Sequence, residues 1–489
     1  MGALTSKPYA FGSRPWELKN MESIDIFDSY ISSVRYDYRG VQILRVLPAI
    51  DTSTNMEWIT DRVRFYYDAI RTQRIVIPWV KGALLANFLK QYNTNINYFY
   101  DSAFLFNCSW VFALEVLKFN SYFFKENDSV LLRNFFDCTE GLKSVYVLKQ
   151  LSSHSGFDNF RTSSLVNRKS FKFSHFLLEK VNACVLIGLN LRYDLPLLNL
   201  RLREKVNNNT ICVFNLGSLY NFNYNVVNLG NANSKLYELM NGKHYILPQL
   251  INFGKIICLV GNRLNNELLK INYLFETIRK YVSIEFYKIY EKPAQLLSSE
   301  FGVELDYASN MLTDDIIYNL NNFDDIDFDE EFLNYNSFLS VPNKLIIYSG
   351  SHGDINAELA DFIFPASMNT EHNEFYLNLD LKLRLSRLII APTFLNMRTI
   401  FSISKMLICV LPLKFRNIND RLLNLYIDSK IPNFEEVYSL MINDFEIALS
   451  ESNTSNAYLS NSVTRASEFL TLAYATYNSR YSNFRFENV

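Results

Sequence analysis

Apolar runs alternate with helical stretches over much of the chain, and the clearest example lies between residues 183 and 217. Residues 183–188 and 211–217 are apolar runs, which are typical of strands buried on both faces of a parallel sheet. Residues 196–206 have a helical pattern that begins at Pro196, and proline suits the first turn of a helix. The pattern predicts a parallel strand–helix–strand unit with a right-handed crossover, in the core of a large domain.

The same alternation recurs later in the chain. Residues 255–261 and 283–287 have the pattern of strands, with a helix predicted over 265–280 between them. A third unit begins at residues 344–348, and the part from about residue 393 has helical patterns. Strands that alternate with helices in this way predict an α/β fold with parallel strand–helix units.

The first part of the chain has a different pattern. Apolar residues within 24–34 and 41–46 predict two extended strands, and residues 37–40 between them predict a turn with Gly40 in its last place. Residues 57–73 have an apolar stripe at helical spacing. We therefore expect an N-terminal β-rich region. The predicted domains are a β-hairpin-containing region, an α/β domain and a second α/β segment with a helical C-terminal part, at residues 1–75, 76–335 and 336–489.

Composition narrows the class of protein. The 489 residues include 39 Phe and 31 Tyr but only 15 Gly and 12 Pro, a bias typical of AT-rich codons and hence of an organelle genome. The formal net charge of -2 gives no long-range attraction to nucleic acid or to an anionic membrane. No apolar stretch approaches the ~20 residues that a membrane-spanning helix requires. We expect neither nucleic acid nor a direct membrane span.

Cysteine and histidine spacing gives no support for a metal or iron–sulfur site. The histidines do not stand at metal-ligand spacing, and nucleotide-binding glycine motifs are absent. An acidic tract at residues 324–331 lacks the calcium-loop pattern and is expected to be an exposed, mobile connection. Cluster binding needs grouped thiolates, so we predict no catalytic residue, no cofactor-binding residue, no metal ligand and no iron–sulfur cluster in this chain. The cysteines are scattered, at Cys108, Cys138, Cys184, Cys212, Cys258 and Cys409.

His352 has two interpretations. It stands just after a predicted strand, in Gly350-Ser351-His352-Gly353-Asp354, and the carboxyl end of a parallel strand is where α/β folds place ligands. The same residues also fit a tight strand-to-helix turn, with Asp354 capping the next helix. The local sequence favours the turn.

Several segments together resemble a known family. The chain is similar to the C-terminal, cluster-free part of the large iron–sulfur subunit of respiratory complex I, the NADH:ubiquinone oxidoreductase. One difference is that Asp380-Leu381-Lys382-Leu383-Arg384 stands near the place of the family's E-G-R. The matching residues run in order: Gly2 to Phe11, Arg14-Pro15-Trp16-Glu17, Glu22 to Asp25, Arg45 to Pro48, Glu57 to Asp61, Gly188-Leu189-Asn190, Arg192-Tyr193, Gly353-Asp354, Ala360-Asp361, Pro365, Glu371, Tyr458, Ser462 and Arg465-Ala466-Ser467.

The resemblance implies a fold like that of molybdopterin-dependent oxidoreductases, with the cofactor lost. It also implies that the iron–sulfur clusters belong to an N-terminal portion that this chain lacks, so we expect them in a partner chain. The expected role is that of a structural subunit without redox centres of its own, in the peripheral arm of complex I on the matrix side of the mitochondrial inner membrane. The alternative is a stand-alone molybdopterin-dependent oxidoreductase.

In the family, the G-A-L-T-S-K-P stretch directly follows a cluster cysteine, and here Met1 replaces the residues before it. We therefore expect one half of a split subunit, whose other half is a cysteine-rich iron–sulfur chain. Other peripheral-arm subunits are further expected partners. The predicted interface with the cysteine-rich chain consists of Gly2, Ala3, Leu4, Thr5, Lys7, Pro8, Arg14 and Trp16.

Overall fold

The structure is a computed structural model, and the following paragraphs concern the residues that it describes. The predicted helix at 265–280 and the acidic tract at 324–331 lie outside them. The described residues are 6–52, 54–90, 105–121, 130–133, 178–217, 222–230, 247–261, 283–290, 293, 296, 316–320, 345–353, 357–358, 360–392, 397–411, 458–459 and 461–476.

An antiparallel sheet forms the N-terminal region. Its strands are β1 (Lys19–Ile24), β2 (Ser33–Arg39) and β3 (Gln42–Pro48), in the order β1-β2-β3. The β-rich character of this region is confirmed. The predicted turn at residues 37–40 is displaced, because residues 37–39 pair within β2 and the chain turns at Gly40 and Val41. The prediction of one strand over 24–34 is wrong, because residues 25–32 leave the sheet in a buried polar loop. In that loop the Asp25 carboxylate accepts a hydrogen bond from the Phe27 amide at 2.8 Å.

Two short helices follow this sheet. The α1 helix (Asp61–Phe65) begins after Thr60, whose side chain accepts a hydrogen bond from the Val63 amide, and a 3-10 helix covers Tyr66–Ile70. The sequence predicted one longer helix over 57–73. The helices pack on the sheet, where the hydroxyl groups of Tyr36 and Tyr66 lie 2.8 Å apart.

A parallel sheet of five strands lies in the middle of the chain. Its strands run in the order β11-β10-β7-β8-β9. The predicted strand–helix–strand unit at residues 183–217 is confirmed, because β7 and β8 are parallel neighbours joined through α5. The elements are β7 (Ala183–Ile187), α4 (Leu191–Asp194), α5 (Pro196–Asn207), β8 (Cys212–Leu216), β9 (Val227–Gly230), α6 (Leu247–Asn252), β10 (Lys255–Gly261) and β11 (Ser283–Ile289).

A mixed sheet of six strands joins distant parts of the chain. Its order is β5-β4-β14-β13-β12-β6, with β4 antiparallel to both of its neighbours. Because β13 and β14 share this sheet with β4 to β6, it takes strands from both sides of the predicted boundary at residue 335. The domain boundaries stay a prediction. The strands are β4 (Trp79–Lys81), β5 (Leu105–Asn107), β6 (Val130–Arg133), β12 (Ile316–Leu320), β13 (Leu345–Gly350) and β14 (Phe362–Pro365).

Helices and a hairpin complete the described structure. The side chains of Leu85, Ala113 and Ile403 share one buried apolar cluster with Ile347 of the six-stranded sheet. No helix among the described residues is long and apolar enough to cross a membrane. The remaining elements are α2 (Gly82–Lys90), α3 (Trp110–Ser121), the hairpin of β15 (Glu374–Leu377) and β16 (Leu383–Ser386), α7 (Ile400–Val410), α8 (Ser462–Arg465) and α9 (residues 468–476).

Candidate functional site

The carboxyl edge of the six-stranded sheet is the first place to look for a site, because α/β folds bind ligands there. Two loops leave this edge, one from β13 through His352 and one from β14 to Glu371. Both loops meet Arg74, which follows the 3-10 helix at Tyr66–Ile70 and forms an isolated antiparallel bridge with His352. The candidate site is therefore built from three segments that are far apart in the sequence.

The centre of this site is a buried ion pair between Arg74 and Glu371. The Arg74 Nη2 and Glu371 Oε2 atoms lie 2.8 Å apart, and the two side chains are 1% and 0% exposed. Arg74 also donates to the Ile70 carbonyl at 3.0 Å, and Glu371 Oε2 accepts from the Met368 amide at 2.9 Å. Two desolvated charges are tolerated because each has both an opposite charge and further hydrogen bonds.

His352 lies beside this pair and is also fully engaged. Its Nε2–H donates to the Ala69 carbonyl at 2.9 Å, which leaves Nδ1 to accept from the Ser351 hydroxyl at 3.0 Å. Burial lowers the pKa of His352 to about 4, and the nearby Arg74 charge acts in the same direction. The imidazole is therefore neutral at pH 7. These contacts fit the turn interpretation of this residue.

A second carboxylate of the matching motif also has a structural partner. Asp361, just before β14, accepts from the Lys81 ammonium group at 3.0 Å and from the Ile346 amide at 2.9 Å. These bonds join the starts of β13 and β14 to the end of β4. Asp361 and Glu371 thus both hold segments of this sheet together.

The five-stranded sheet has its own ligand edge, at the switch point between β7 and β10. Gly188 follows β7 with a φ of 56°, and Gly261 ends β10. A Cβ atom on Gly261 would lie 2.4 Å from the Gly188 carbonyl oxygen, so the two backbones are in close contact there. Asn190, two residues further on, is buried, and its side-chain atoms have no hydrogen-bond partner in the described structure.

The described cysteine thiols are poor metal ligands at the edges of both sheets. Burial raises the pKa of Cys184 to about 12 and that of Cys108 to about 11, so both are protonated thiols at pH 7. Among the residues that the structure describes, no group of three His, Cys, Asp or Glu side chains could hold a metal ion. Because Arg74, Glu371 and His352 bond within the chain and the Cys108 and Cys184 thiols are protonated, these residues do not fit a molybdenum–pterin group.

The predicted interface residues lie along one exposed segment as far as they are described. Gly2, Ala3, Leu4 and Thr5 fall outside the described residues. Lys7, Pro8, Arg14 and Trp16 are all exposed, and Trp16 is 79% exposed. The structure thus brings these four side chains to the surface beside the N-terminal sheet, remote in sequence from both sheet edges.

Two protein families match the chain. Residues 107–410, more than half of the 489, match the family described as Molybdopterin oxidoreductase, and the chain belongs to it. Residues 18–68 match the family described as NADH-ubiquinone oxidoreductase NDSU1/NuoG-like, 4Fe-4S domain. The first match confirms the predicted fold class.

Three relatives illustrate the similarity, and the chain spans about half the length of the curated relatives it matches. The NADH-ubiquinone oxidoreductase 75 kDa subunit of Acanthamoeba castellanii is 32% identical over 77% of this chain and 54% of its own length. The subunit with the same name from Reclinomonas americana is 29% identical over 78% of this chain and 55% of its own. The NADH-ubiquinone oxidoreductase 78 kDa subunit, mitochondrial, of Candida albicans is 26% identical over 79% of this chain and 52% of its own.

Solved structures resemble the chain more distantly. Acetylene hydratase from Pelobacter acetylenicus has a TM-score of 0.48 at 11% identity, over 80% of this chain and 69% of its own. The formyltransferase/hydrolase complex from Methylorubrum extorquens has a TM-score of 0.42 at 12% identity, over 61% of this chain and 95% of the matched one.

The match at residues 18–68 corrects the prediction about cofactors. We expected no cofactor in this chain and all iron–sulfur clusters in a partner chain, whereas this segment matches a 4Fe-4S domain. The iron–sulfur domain is therefore present in this chain. Residues 18–68 contain no cysteine and no histidine, the side chains that hold such clusters. Cluster ligands therefore lie outside residues 18–68.

Arg74 and Lys81 are the residues of this site that sequence reasoning missed. Neither stands in a motif, and their partners are 297 and 280 residues away in the chain. The usable signal was indirect, since a carboxylate in an apolar environment requires a partner of opposite charge.

Proposed function

We propose that the chain is a structural subunit in the peripheral arm of respiratory complex I, on the matrix side of the mitochondrial inner membrane. In this role it supports electron transfer from NADH to ubiquinone by holding neighbouring subunits in place. Relatives named as subunits of NADH-ubiquinone oxidoreductase support the assignment.

The observation that carries the structural role is the closed edge of the six-stranded sheet. An enzyme of this fold needs accessible polar groups where its ligand binds, because binding and catalysis require direct contact. Here Arg74, Glu371 and His352 are all buried and bonded to one another or to the backbone. These contacts hold the three side chains in place at the junction of three segments.

We also propose that the segment from Lys7 to Trp16 binds a cysteine-rich polypeptide. Residues 18–68 match a 4Fe-4S domain yet contain no thiolate, so cysteines from another segment or chain must meet this domain. Lys7 and Arg14 are exposed next to it. Their positive charges suit a cluster with four thiolate ligands, whose net charge is negative.

The segment from Lys7 to Trp16 is held against the N-terminal sheet in a conformation that suits binding of a partner. The Arg45 guanidinium lies over the Tyr9 ring, 4.6 Å from its centroid, and Arg39 forms an ion pair of 2.9 Å with Glu17. Between these two anchors Phe11 is fully exposed. Exposed aromatic side chains on a preformed segment lose little conformational freedom on binding, which favours a stable interface.

The second candidate is a stand-alone molybdopterin-dependent oxidoreductase. The match of residues 107–410 to the Molybdopterin oxidoreductase family favours it. It requires a metal ligand and groups that bind the pterin phosphate. The protonated thiols and the paired charges of the described site argue against it.

One purification separates the two candidates. The respiratory membrane assembly would be purified with the full chain in it, its subunits identified by mass spectrometry, and its molybdenum and pterin content measured. We expect the chain to co-purify with NADH:ubiquinone activity and with a cysteine-rich subunit, without stoichiometric molybdenum. Recovery of the chain outside complex I, with bound molybdenum and pterin, would contradict the proposal.

A further inference from the structure

The hairpin of β15 and β16 has an apolar outer face that nothing in the proposed site uses. Phe375 and Leu385 are directly opposite each other in the register, and Leu383 lies on the same face because side chains alternate along a strand. These three and Leu388 are between 38% and 57% exposed. Three large apolar side chains exposed on one face of a hairpin form a patch typical of an interaction site rather than scattered surface residues.

The inner face of the same hairpin is fixed in the core. Tyr376 belongs to a buried cluster with Ile24 and Ile31 of the N-terminal region. Leu377 is part of the cluster under the six-stranded sheet, and Leu379 just beyond β15 is part of the cluster under the five-stranded sheet. The hairpin therefore joins three cores, which holds its outer face rigid and preformed.

The exposed charged side chains of the hairpin and of the residue after it are basic. Lys382 and Arg387 are exposed, whereas Glu371 and Glu374 are buried and Asp380 is half-buried beside Lys382. The rim of the apolar patch is thus basic, although the whole chain carries a formal net charge of -2. A partner that fits this surface combines apolar side chains with acidic flanks.

The size of the patch limits what can bind. A standard stable interface takes roughly 20–30 residues from each partner, far more than this hairpin face offers. A second copy of the chain is therefore a poor fit, and a single segment is a better one. Resting on the proposed role as a subunit of an assembly, we propose that the outer face of the β15–β16 hairpin is a docking surface for an acidic, amphipathic segment of another subunit.

The experiment uses the full chain in its purified assembly, with a photo-activated cross-linking residue placed at position 385. We expect a cross-link to one acidic, amphipathic segment of another chain, identified by mass spectrometry. The matched control has the cross-linker at position 472, where Leu472 is 64% exposed on α9. Cross-linking to a second copy, to this chain itself, or to the same segment from position 472 would overturn the proposal, as would the absence of a product.

A charge variant tests the basic rim separately. Lys382→Glu with Arg387→Glu leaves the apolar face intact, and we expect it to lower the cross-link yield from position 385 by about tenfold. High salt lowers the yield in the original chain because it screens exposed charges. An unchanged yield in the charge variant would contradict the acidic character of the partner.

Discussion

Two regions of this molecule differ in the exposure of their functional side chains. At the carboxyl edge of the six-stranded sheet, Arg74, Glu371 and His352 are buried and bonded inside the chain. At the N-terminal segment, Phe11 and Trp16 extend from the surface while Tyr9 and Glu17 hold the segment in place. The sheet edge thus keeps its charged groups inside the chain, whereas the N-terminal segment exposes its aromatic rings.

The strongest test of this contrast removes one half of the buried ion pair. Glu371→Ala leaves the Arg74 charge buried without its partner, so we expect the free energy of unfolding to fall by about 3–5 kcal/mol. Denaturant unfolding of the full chain measures it. In the double variant Arg74→Met with Glu371→Leu no charge is left unpaired, and the loss should be smaller. A single variant within ~1 kcal/mol of the original chain would show that the pair is not essential to the closed site.

The second test uses pH. The pKa of His352 falls from 6.5 to about 4 on folding, so the folded state favours the neutral ring. That contribution to stability is fully present above pH 6.5 and is lost as the pH falls towards 4, and it amounts to about 3 kcal/mol. The free energy of unfolding, measured from pH 7 to pH 4, should fall less steeply in His352→Gln than in the original chain. Glutamine keeps an N–H donor but does not titrate. Equal slopes in the two proteins would contradict this assignment.

A third test adds an atom to the close contact at the switch point of the five-stranded sheet. Gly261→Ala places a Cβ atom against the Gly188 carbonyl oxygen, which is backbone and moves only with its strand. We expect a loss of about 1–3 kcal/mol in the free energy of unfolding. Gly353→Ala is the matched control, because a Cβ there meets nothing within 4 Å. Similar losses of unfolding free energy in both variants would mean that the contact between Gly188 and Gly261 does not restrict the side chain at position 261.

The smallest effect on stability should come from the open region. Trp16→Ala removes a side chain that is 79% exposed, so the free energy of unfolding should change by less than ~0.5 kcal/mol. The free energy of binding to the cysteine-rich polypeptide should nevertheless weaken by about 2 kcal/mol. Co-purification of the two chains measures this loss. Val111→Ala is the control, since Val111 is 69% exposed on α3, outside the proposed interface and outside residues 18–68. A loss of stability with no loss of binding would assign Trp16 to the fold.

Local patterns in the sequence predicted the local parts of the fold well. The parallel unit at residues 183–217 was predictable because its apolar runs are continuous and Pro196 marks the helix start. The loop at residues 25–32 was not, because its polar residues are buried by contacts with distant segments. Ser29, for example, donates its hydroxyl proton to the Tyr290 carbonyl. The same limit hid Arg74, whose role depends on Glu371 and not on its neighbours.

The six-stranded sheet also cannot form until long after its first strand has been synthesised. Lys81 finds its partner Asp361 only after 280 further residues have been made. At typical rates of translation this takes roughly 14–56 s, during which β4 has no β14 to pair with. The early strands are therefore exposed to aggregation for that period, as expected for folds dominated by non-local pairing. A chaperone or an early-binding neighbour that covers β4 in that interval would therefore raise the yield of folded chain.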